Sequence, residues 1–380
     1  MSGRLVHSEE LTRYDFGVDH AMGPGRVRHT IDLARQLGVL DLLEVVPPPA
    51  VDDDVILAVH DRDYVDAVKA NVENLAYGLG TTDNPIFPRM HEVSGTIAMA
   101  TTEAARWVWQ GEVRRACNIS GGLHHAMPRA TSGFCVYNDV AVAISWLLAN
   151  GAERIAYVDV DVHHGDGVQQ IFYHDPRVLT VSLHETPAVL FPGTGYPSET
   201  GGPDAIGSAV NVALPAGTGD SGWLRAFHAV VPQVLEAFAP QILVTQHGCD
   251  SHQHDPLADL ELTVDGQRAS YLALADLADR FCEGRWVSTG GGGYAITNVV
   301  PRAWTHLLAI VAGQPLAPET ETPPAWREPL GPYAPVAMTD GVEIDYTDFD
   351  LGFSPTSRLD QAILATRRAV FPELGLDPGL

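Results

Sequence analysis

The chain has 380 residues, 45% of them hydrophobic, enough to bury a large core as one big domain or two smaller ones without disulfide staples. Against 48 Asp and Glu stand only 23 Lys and Arg, a formal charge of −25, and no basic run appears. That balance argues against direct binding to nucleic acid or to an anionic membrane surface, and it would attract cationic substrates.

In chain order, the opening "MSGRLVHSEELTRYDFG" lacks a basic segment followed by an apolar core, and no uninterrupted apolar run is long enough to span a bilayer. The expectation is a cytoplasmic protein that does not enter membranes. The first strand-like run is "ACNISGGLHH" (116–125), followed by a helix over "VYNDVAVAISWLLANG" (136–151) that Gly151 stops. Two runs follow, "RIAYVDVDVHHGDG" (154–167) and "VLTVSLH" (178–184), then a helix over "WLRAFHAVVPQVLEAF" (223–238). The run "QILVTQHGCD" (241–250), a helix over "QRASYLALADLADRFC" (267–282) with Gly284 as its stop, and "WVSTGGGGY" (286–294) complete the series. Strands alternating with helices predict an α/β fold around a central, mainly parallel sheet flanked by helices, with ligands gathering at the carboxyl ends of the strands. Beyond about residue 315 the text turns to "PLAPETETPPAWREPLGPYAPV", which has neither periodicity. Residues 1–315 are therefore read as one domain, and 316–380 as a proline-rich extension packed on it or trailing from it, an extended surface arm. The cysteines Cys117, Cys135, Cys249 and Cys282 form no CxxC pair, so neither a thiolate zinc site nor a disulfide framework is expected.

Side chains alternate along an extended segment, so Asp159, Asp161 and His163 would project to one side at the end of their strand. A lone D-x-H more often caps a turn. Here, however, the pair His124–His125 and the acid Asp250 stand at equivalent places on other strands, which makes a ligand cluster the stronger reading. Two carboxylates and one imidazole, with open positions, suit a divalent ion that polarises a carbonyl and activates a water. Lowering the pKa of water from about 15.7 to about 7 corresponds to roughly 12 kcal/mol, more than a side chain supplies alone. Imidazole bases beside such an ion need carboxylates to fix their tautomers, and Asp159 and Asp166 are left over for that.

The motifs "GGLHHAMPRATSGFCVYND", "YVDVDVHHGDGV", "TVSLH", "FPGTG", "QHGCDSHQHDPL" and "GGGGY" resemble, in order and spacing, the metal-dependent histone deacetylase superfamily, nearest to its bacterial acetoin-utilisation (AcuC-like) branch. The resemblance covers roughly residues 14–310 and implies a single arginase/deacetylase-like α/β domain. It implies that Asp161, His163 and Asp250 bind zinc, a ligand set that would also accept ferrous iron. It implies His125 as general base and acid, His124 as its electrostatic partner, and Asp166 and Asp159 as the acids that orient them. Tyr294 would donate its hydroxyl to the substrate carbonyl. Gly133, Phe134 and Phe191 would line a narrow tunnel for the stem of an acyl-lysine, Asp83 would bind substrate backbone at the rim, and Arg26 would face an internal acetate channel. Potassium is implied at two places, the nearer through Asp159, Asp161, His163, Ser182 and Leu183, the farther through Phe172, Asp175 and Val178.

The resulting expectation is a zinc-dependent amidohydrolase that removes acetyl groups from lysine side chains of proteins. An acetylpolyamine deacetylase is the nearest rival, but the apolar Leu257 stands where polyamine-selective relatives carry an acid. A silent acetyl-lysine-binding module is disfavoured by the intact His125, Asp161, His163, Asp250 and Tyr294. A binuclear manganese ureohydrolase lacks its second ligand set. The branch suggests an acyl-CoA synthetase as partner, and the oligomeric state has no signal in the sequence. His164 is read as structural, His20, His29 and His60 as solvated or structural, and His252 and His254 as rim residues without an assigned role. Asn84 stands where some relatives carry a cysteine, so no redox pair with Cys135 is available.

Overall fold

Among the described residues eight strands, all parallel, run through the middle of the molecule in the order β2-β1-β3-β8-β7-β4-β5-β6. The computed structural model describes residues 3–332 and 334–379, so the outermost ends of the two expected segments lie outside the described residues. The strands are β1 (Arg4–Val6), β2 (Glu44–Val46), β3 (Arg115–Asn118), β4 (Ile155–Asp159), β5 (Val178–Glu185), β6 (Ala209–Leu214), β7 (Ile242–Gln246) and β8 (Trp286–Thr289). Every residue of β4, β5, β7 and β8 is buried, as expected of parallel strands covered on both faces.

Two apolar cores flank the sheet, and the strands feed them alternately. Along β4, Ile155 and Tyr157 join the core beneath helices Met90–Trp109 and Asp139–Ala149, whereas Ala156 and Val158 join the one beneath Gly25–Gln36, Asp220–Phe238, Val264–Phe281 and Val300–Val311. Register brings the strand ends level: Asp159 lies opposite Ser182 on one side and Gln246 on the other, and Gln246 lies opposite Thr289.

The five sequence-predicted strands are all present. The sequence reading does not separate β1, β2 or β6; the first two are only three residues long, too short for a period of two to show. The segment after residue 315 differs from an extended arm. Trp326 is buried and its indole N–H donates to the His29 carbonyl at 3.0 Å. Residues Arg358–Val370 form a helix started by Ser357, whose hydroxyl accepts from Asp360 N. Its buried residues Ile363, Leu364, Thr366, Arg367 and Val370 make one helical face, which covers β6. Thr366 donates to the Asn211 carbonyl at 2.6 Å, and Arg225 pairs with Asp360 at 2.9 Å. No helix among the described residues is long and apolar enough to cross a membrane.

Candidate active site

Four strands deliver the polar cluster from their carboxyl ends. Beyond β4 come Asp161 and His163, beyond β7 Asp250, beyond β3 His124 and His125, and beyond β8 Gly292 and Tyr294. Asp161, His163 and Asp250 are buried, and one ligand atom from each lies within 4.8 Å of the others. His163 Nδ1 sits 3.2 Å from Asp161 Oδ1 and 3.1 Å from Asp250 Oδ2. The outward oxygens are already held: Asp161 Oδ2 accepts from Gln246 Nε2 at 2.6 Å and Gly292 N at 2.7 Å, and Asp250 Oδ1 accepts from Val162 N at 2.9 Å. One oxygen of each acid and one ring nitrogen are thus turned toward a common point. Burial, then the neighbouring Asp161, pushes the Asp250 carboxyl up, and a cation between the two acids would relieve that repulsion. This donor set fits a divalent ion such as zinc or iron. A Cβ on Gly292 would lie 2.0 Å from Asp250 Oδ2 and 2.9 Å from Asp161 Oδ2, which is why glycine stands there.

The two imidazoles beside this trio are each tied to a carboxylate. His124 Nδ1 lies 2.7 Å from Asp159 Oδ2, which also accepts from the Tyr157 hydroxyl at 2.5 Å. His125 Nδ1 lies 2.6 Å from Asp166 Oδ1, and the two Nε2 atoms face each other at 3.0 Å. Burial opposes charge on both rings but does not decide both. For His124 the pull of Asp159 and Asp161 outweighs it and raises the pKa to about 9; for His125 burial and the adjacent His124 lower it to about 4. One ring is therefore a held cation and the other a neutral base, a separation of roles produced by environment alone.

The turn that carries both rings hangs on Asp139, which the sequence reading does not single out. Its buried carboxylate accepts from Leu123 N at 2.7 Å, Gly122 N at 3.0 Å and Thr101 Oγ1 at 2.5 Å. Nothing local in "YND" marks it, because its partners come from two other segments.

A cavity of about 220 Å³ leads from the surface to the trio, lined by Asp83, His125, Gly133, Phe134, His163, Leu190, Phe191, Leu257 and Tyr294. The Phe191 ring stands edge-on to His125 at 5.0 Å and the Phe134 ring edge-on to Tyr294 at 5.8 Å. Phe134 holds φ 66° and Gly133 φ 50°, a bend that presents the ring to the cavity. Asn84 steadies it by accepting from Phe134 N at 3.0 Å. His20 also belongs to this mouth, edge-on to Phe134 at 4.6 Å and 3.2 Å from the Asp83 carbonyl. Behind the trio lies a water-sized cavity walled by Met22, Gly122, Cys135, Gly291 and Gly292 among others. Arg26 braces that wall, donating to the Gly291 carbonyl at 2.6 Å.

The positions expected to hold potassium fall in two places. Ser182 and Leu183 lie on β5 beside Asp159, with Ser182 Oγ 2.8 Å from His184 Nδ1. Phe172, Asp175 and Val178 follow one another through the turn into β5, where Asp175 N bonds the Phe172 carbonyl and Val178 N the Asp175 carbonyl. His164 is buried between Thr194 and Gln169, 2.9 Å and 3.1 Å away. His252 requires a correction: it is not a rim residue but fully buried, paired with Asp340 at 2.9 Å, while His254 is exposed.

The family model described as Histone deacetylase domain matches residues 20–311. "Acetoin utilization protein AcuC" of Bacillus subtilis (strain 168) is 38% identical over 341 residues, 88% of each chain. The protein of the same description from Staphylococcus xylosus is 36% identical over 337 residues, 87% of each. Among solved structures, the HD domain of HDA15 superposes with a TM-score of 0.74 at 28% identity, over 82% of this chain and 91% of that one. An all-parallel sheet carrying this site, with relatives of this closeness along most of its length, makes the chain a member of the histone deacetylase superfamily, in its AcuC-like branch: a deacetylase on the arginase/deacetylase-like fold.

Proposed function

We propose that this chain is a zinc-dependent hydrolase that removes acetyl groups from lysine side chains of proteins. The observation that carries the reading is the aromatic-walled cavity of about 220 Å³ that reaches His163 of the Asp161, His163 and Asp250 trio, with His125 held by Asp166 beside it. Its apolar walls, Phe134, Leu190, Phe191 and Leu257, suit an aliphatic stem. Held by the trio, zinc supplies a Lewis acid that polarises the acetyl carbonyl and brings the pKa of a water toward about 7; ferrous iron would serve with the same ligands. His125 takes the proton of the attacking water and returns it to the departing amine, with Asp166 fixing its ring. The charge held on His124 by Asp159 keeps that proton from being stored on the wrong ring. Tyr294 donates its hydroxyl to the carbonyl oxygen as negative charge grows there. Arg26 supports that arm through the glycine carbonyls, which fits the expected acetate route. Potassium beside β5, from the oxygens of Asp159, Asp161, His163, Ser182 and Leu183, and a second ion at Phe172, Asp175 and Val178, belong to the same reading.

The favoured substrate is an acetylated lysine within a polypeptide, an acyl-CoA synthetase in the cytoplasm being the partner we infer. A polyamine would place its far ammonium at the cavity mouth beside Leu257, which offers it no acceptor. Peptide backbone can instead bond to Asp83. The test is kcat/KM for an acetyl-lysine peptide against N-acetylputrescine and N-acetylspermidine, with zinc restored. The peptide should win, and Leu257→Glu should shift preference toward the polyamines. Wild-type preference for polyamines would overturn the substrate, though not the chemistry.

A further inference from the structure

We infer that the segment after the matched domain completes the metal-binding site, with Asp340 as the residue that positions the loop of Asp250. This rests on the reading of Asp161, His163 and Asp250 as metal ligands. The loop from residue 247 to 256 is buried at Cys249, Asp250, Ser251 and His252. His252 Nδ1 accepts from His254 N at 3.0 Å, which fixes the tautomer and makes Nε2 the donor to Asp340 Oδ2 at 2.9 Å. The same Oδ2 accepts from Val264 N at 2.9 Å, at the start of helix Val264–Phe281. The other oxygen pairs with Arg302 at 2.8 Å, in helix Val300–Val311, which follows the Tyr294 loop.

One carboxylate from outside residues 20–311 therefore ties together the loop bearing Asp250, the helix that follows it and the helix behind Tyr294. Its own segment is anchored rather than draped. Asp265 accepts from Thr339 Oγ1 at 2.6 Å and from the backbone N of Asp340 and Val342 at 3.0 Å and 3.1 Å. Arg302 donates to the Thr339 carbonyl at 3.0 Å and His306 to the Met338 carbonyl at 3.0 Å. Burial makes the consequence strong. His252 has no solvent to replace Asp340, so losing that acceptor leaves a buried N–H unpaired two residues from a ligand oxygen. Groups hydrogen-bonded directly to metal ligands typically change metal affinity by about 10- to 100-fold when removed, and Asp340, which acts through His252 one link further back, belongs at the lower end of that range.

The experiment uses the full-length protein, with Co²⁺ as a spectroscopic stand-in and a chromogenic chelator to measure affinity. Asp340→Asn keeps shape and one acceptor; Asp340→Ala removes both. His252→Gln reaches the same contact from the other side. The expected result is metal affinity weakened about 10-fold or more in Asp340→Asn, an altered Co²⁺ visible spectrum, and a double Asp340→Asn/His252→Gln variant no weaker than its weaker parent. Should Asp340→Ala not fold, Asp340→Asn and His252→Gln carry the test. Wild-type affinity and spectrum in both single variants, with only a lowered melting temperature, would reduce Asp340 to a fold anchor and overturn the inference. Failure of the wild type to take up Co²⁺ at all would overturn the metal reading and this inference with it.

Discussion

Replacing Asp139 should loosen the turn that carries His124 and His125. In Asp139→Ala, the buried N–H groups of Gly122 and Leu123 and the Thr101 hydroxyl lose their acceptor together. Each buried donor left unpaired costs about 1–3 kcal/mol, which sums to roughly 3–9 kcal/mol before relaxation. Two effects reduce that. Burial already drives the Asp139 carboxyl pKa up, so removing it relieves a desolvation cost, and a water admitted to the gap would satisfy part of the set. A net loss of about 2–4 kcal/mol is the expected outcome for alanine. Asp139→Asn retains one acceptor oxygen but turns an NH₂ toward donors, so it should still lose about 1–2 kcal/mol. Urea unfolding followed by circular dichroism gives the stability, and amide hydrolysis gives the displacement of the rings. Leu123 is joined directly to His124, so kcat should fall at least about 10-fold while bound metal is retained. A wild-type midpoint and wild-type kcat in Asp139→Asn would refute the argument that this carboxylate holds the turn.

Elemental analysis of purified wild type should show about one equivalent of transition metal, and Asp250→Ala should lose it because the trio then has only two ligands; full occupancy in that variant would remove Asp250 from the site. His125→Ala should lose about 100-fold or more in kcat while keeping its metal, and surviving activity would mean the two histidine roles are misassigned. Acid should destabilise the fold through buried histidines outside the trio. Burial holds His60 down at about 4, its Nε2 accepting from Asn138 N, and lowers His184 to about 3 and His306 to about 4. A folded-state value below the unfolded one near 6.5 means that this stability is fully present above about pH 6.5 and is lost as pH falls toward 4, on the order of 3 kcal/mol for His60 alone. Denaturation midpoints measured from pH 7 to 4 should fall steadily, and a His60→Gln variant should show a shallower slope.

The legible parts of the chain are those where chemistry and strand end coincide. Asp159, Asp161, His163 and Asp166 sit within one stretch of sequence, and the alternation of an extended chain puts the first three on one side, while Asp166 opens the helix that follows. His124, His125 and Asp250 follow the other strands at equivalent places, so one principle points to all three, whereas Tyr294 is reached only through the family resemblance. What the text hides depends on partners far away along the chain. Asp139 is an ordinary helix start until Gly122, Leu123 and Thr101 are seen around it. His252 looks like one polar residue among several in "CDSHQHD", and only Asp340 explains its burial. His20 lies near neither Phe134 nor Asp83 in sequence, yet touches both. The helix Arg358–Val370 follows proline-rich text that masks its regular apolar face.

The position of β8 has a consequence for how the protein is made. It lies between β3 and β7 and pairs with both, although among the described residues it is the last strand to be synthesised. A nascent chain that has emerged only as far as helix Val264–Phe281 therefore holds two half-sheets, each with a bare edge of unpaired backbone groups. Such edges recruit strands from other molecules, so premature termination before Trp286 should yield aggregating fragments rather than a smaller working enzyme. Insertion of four residues closes both edges at once and, a few residues later, brings Tyr294 to a site whose other members have waited for it.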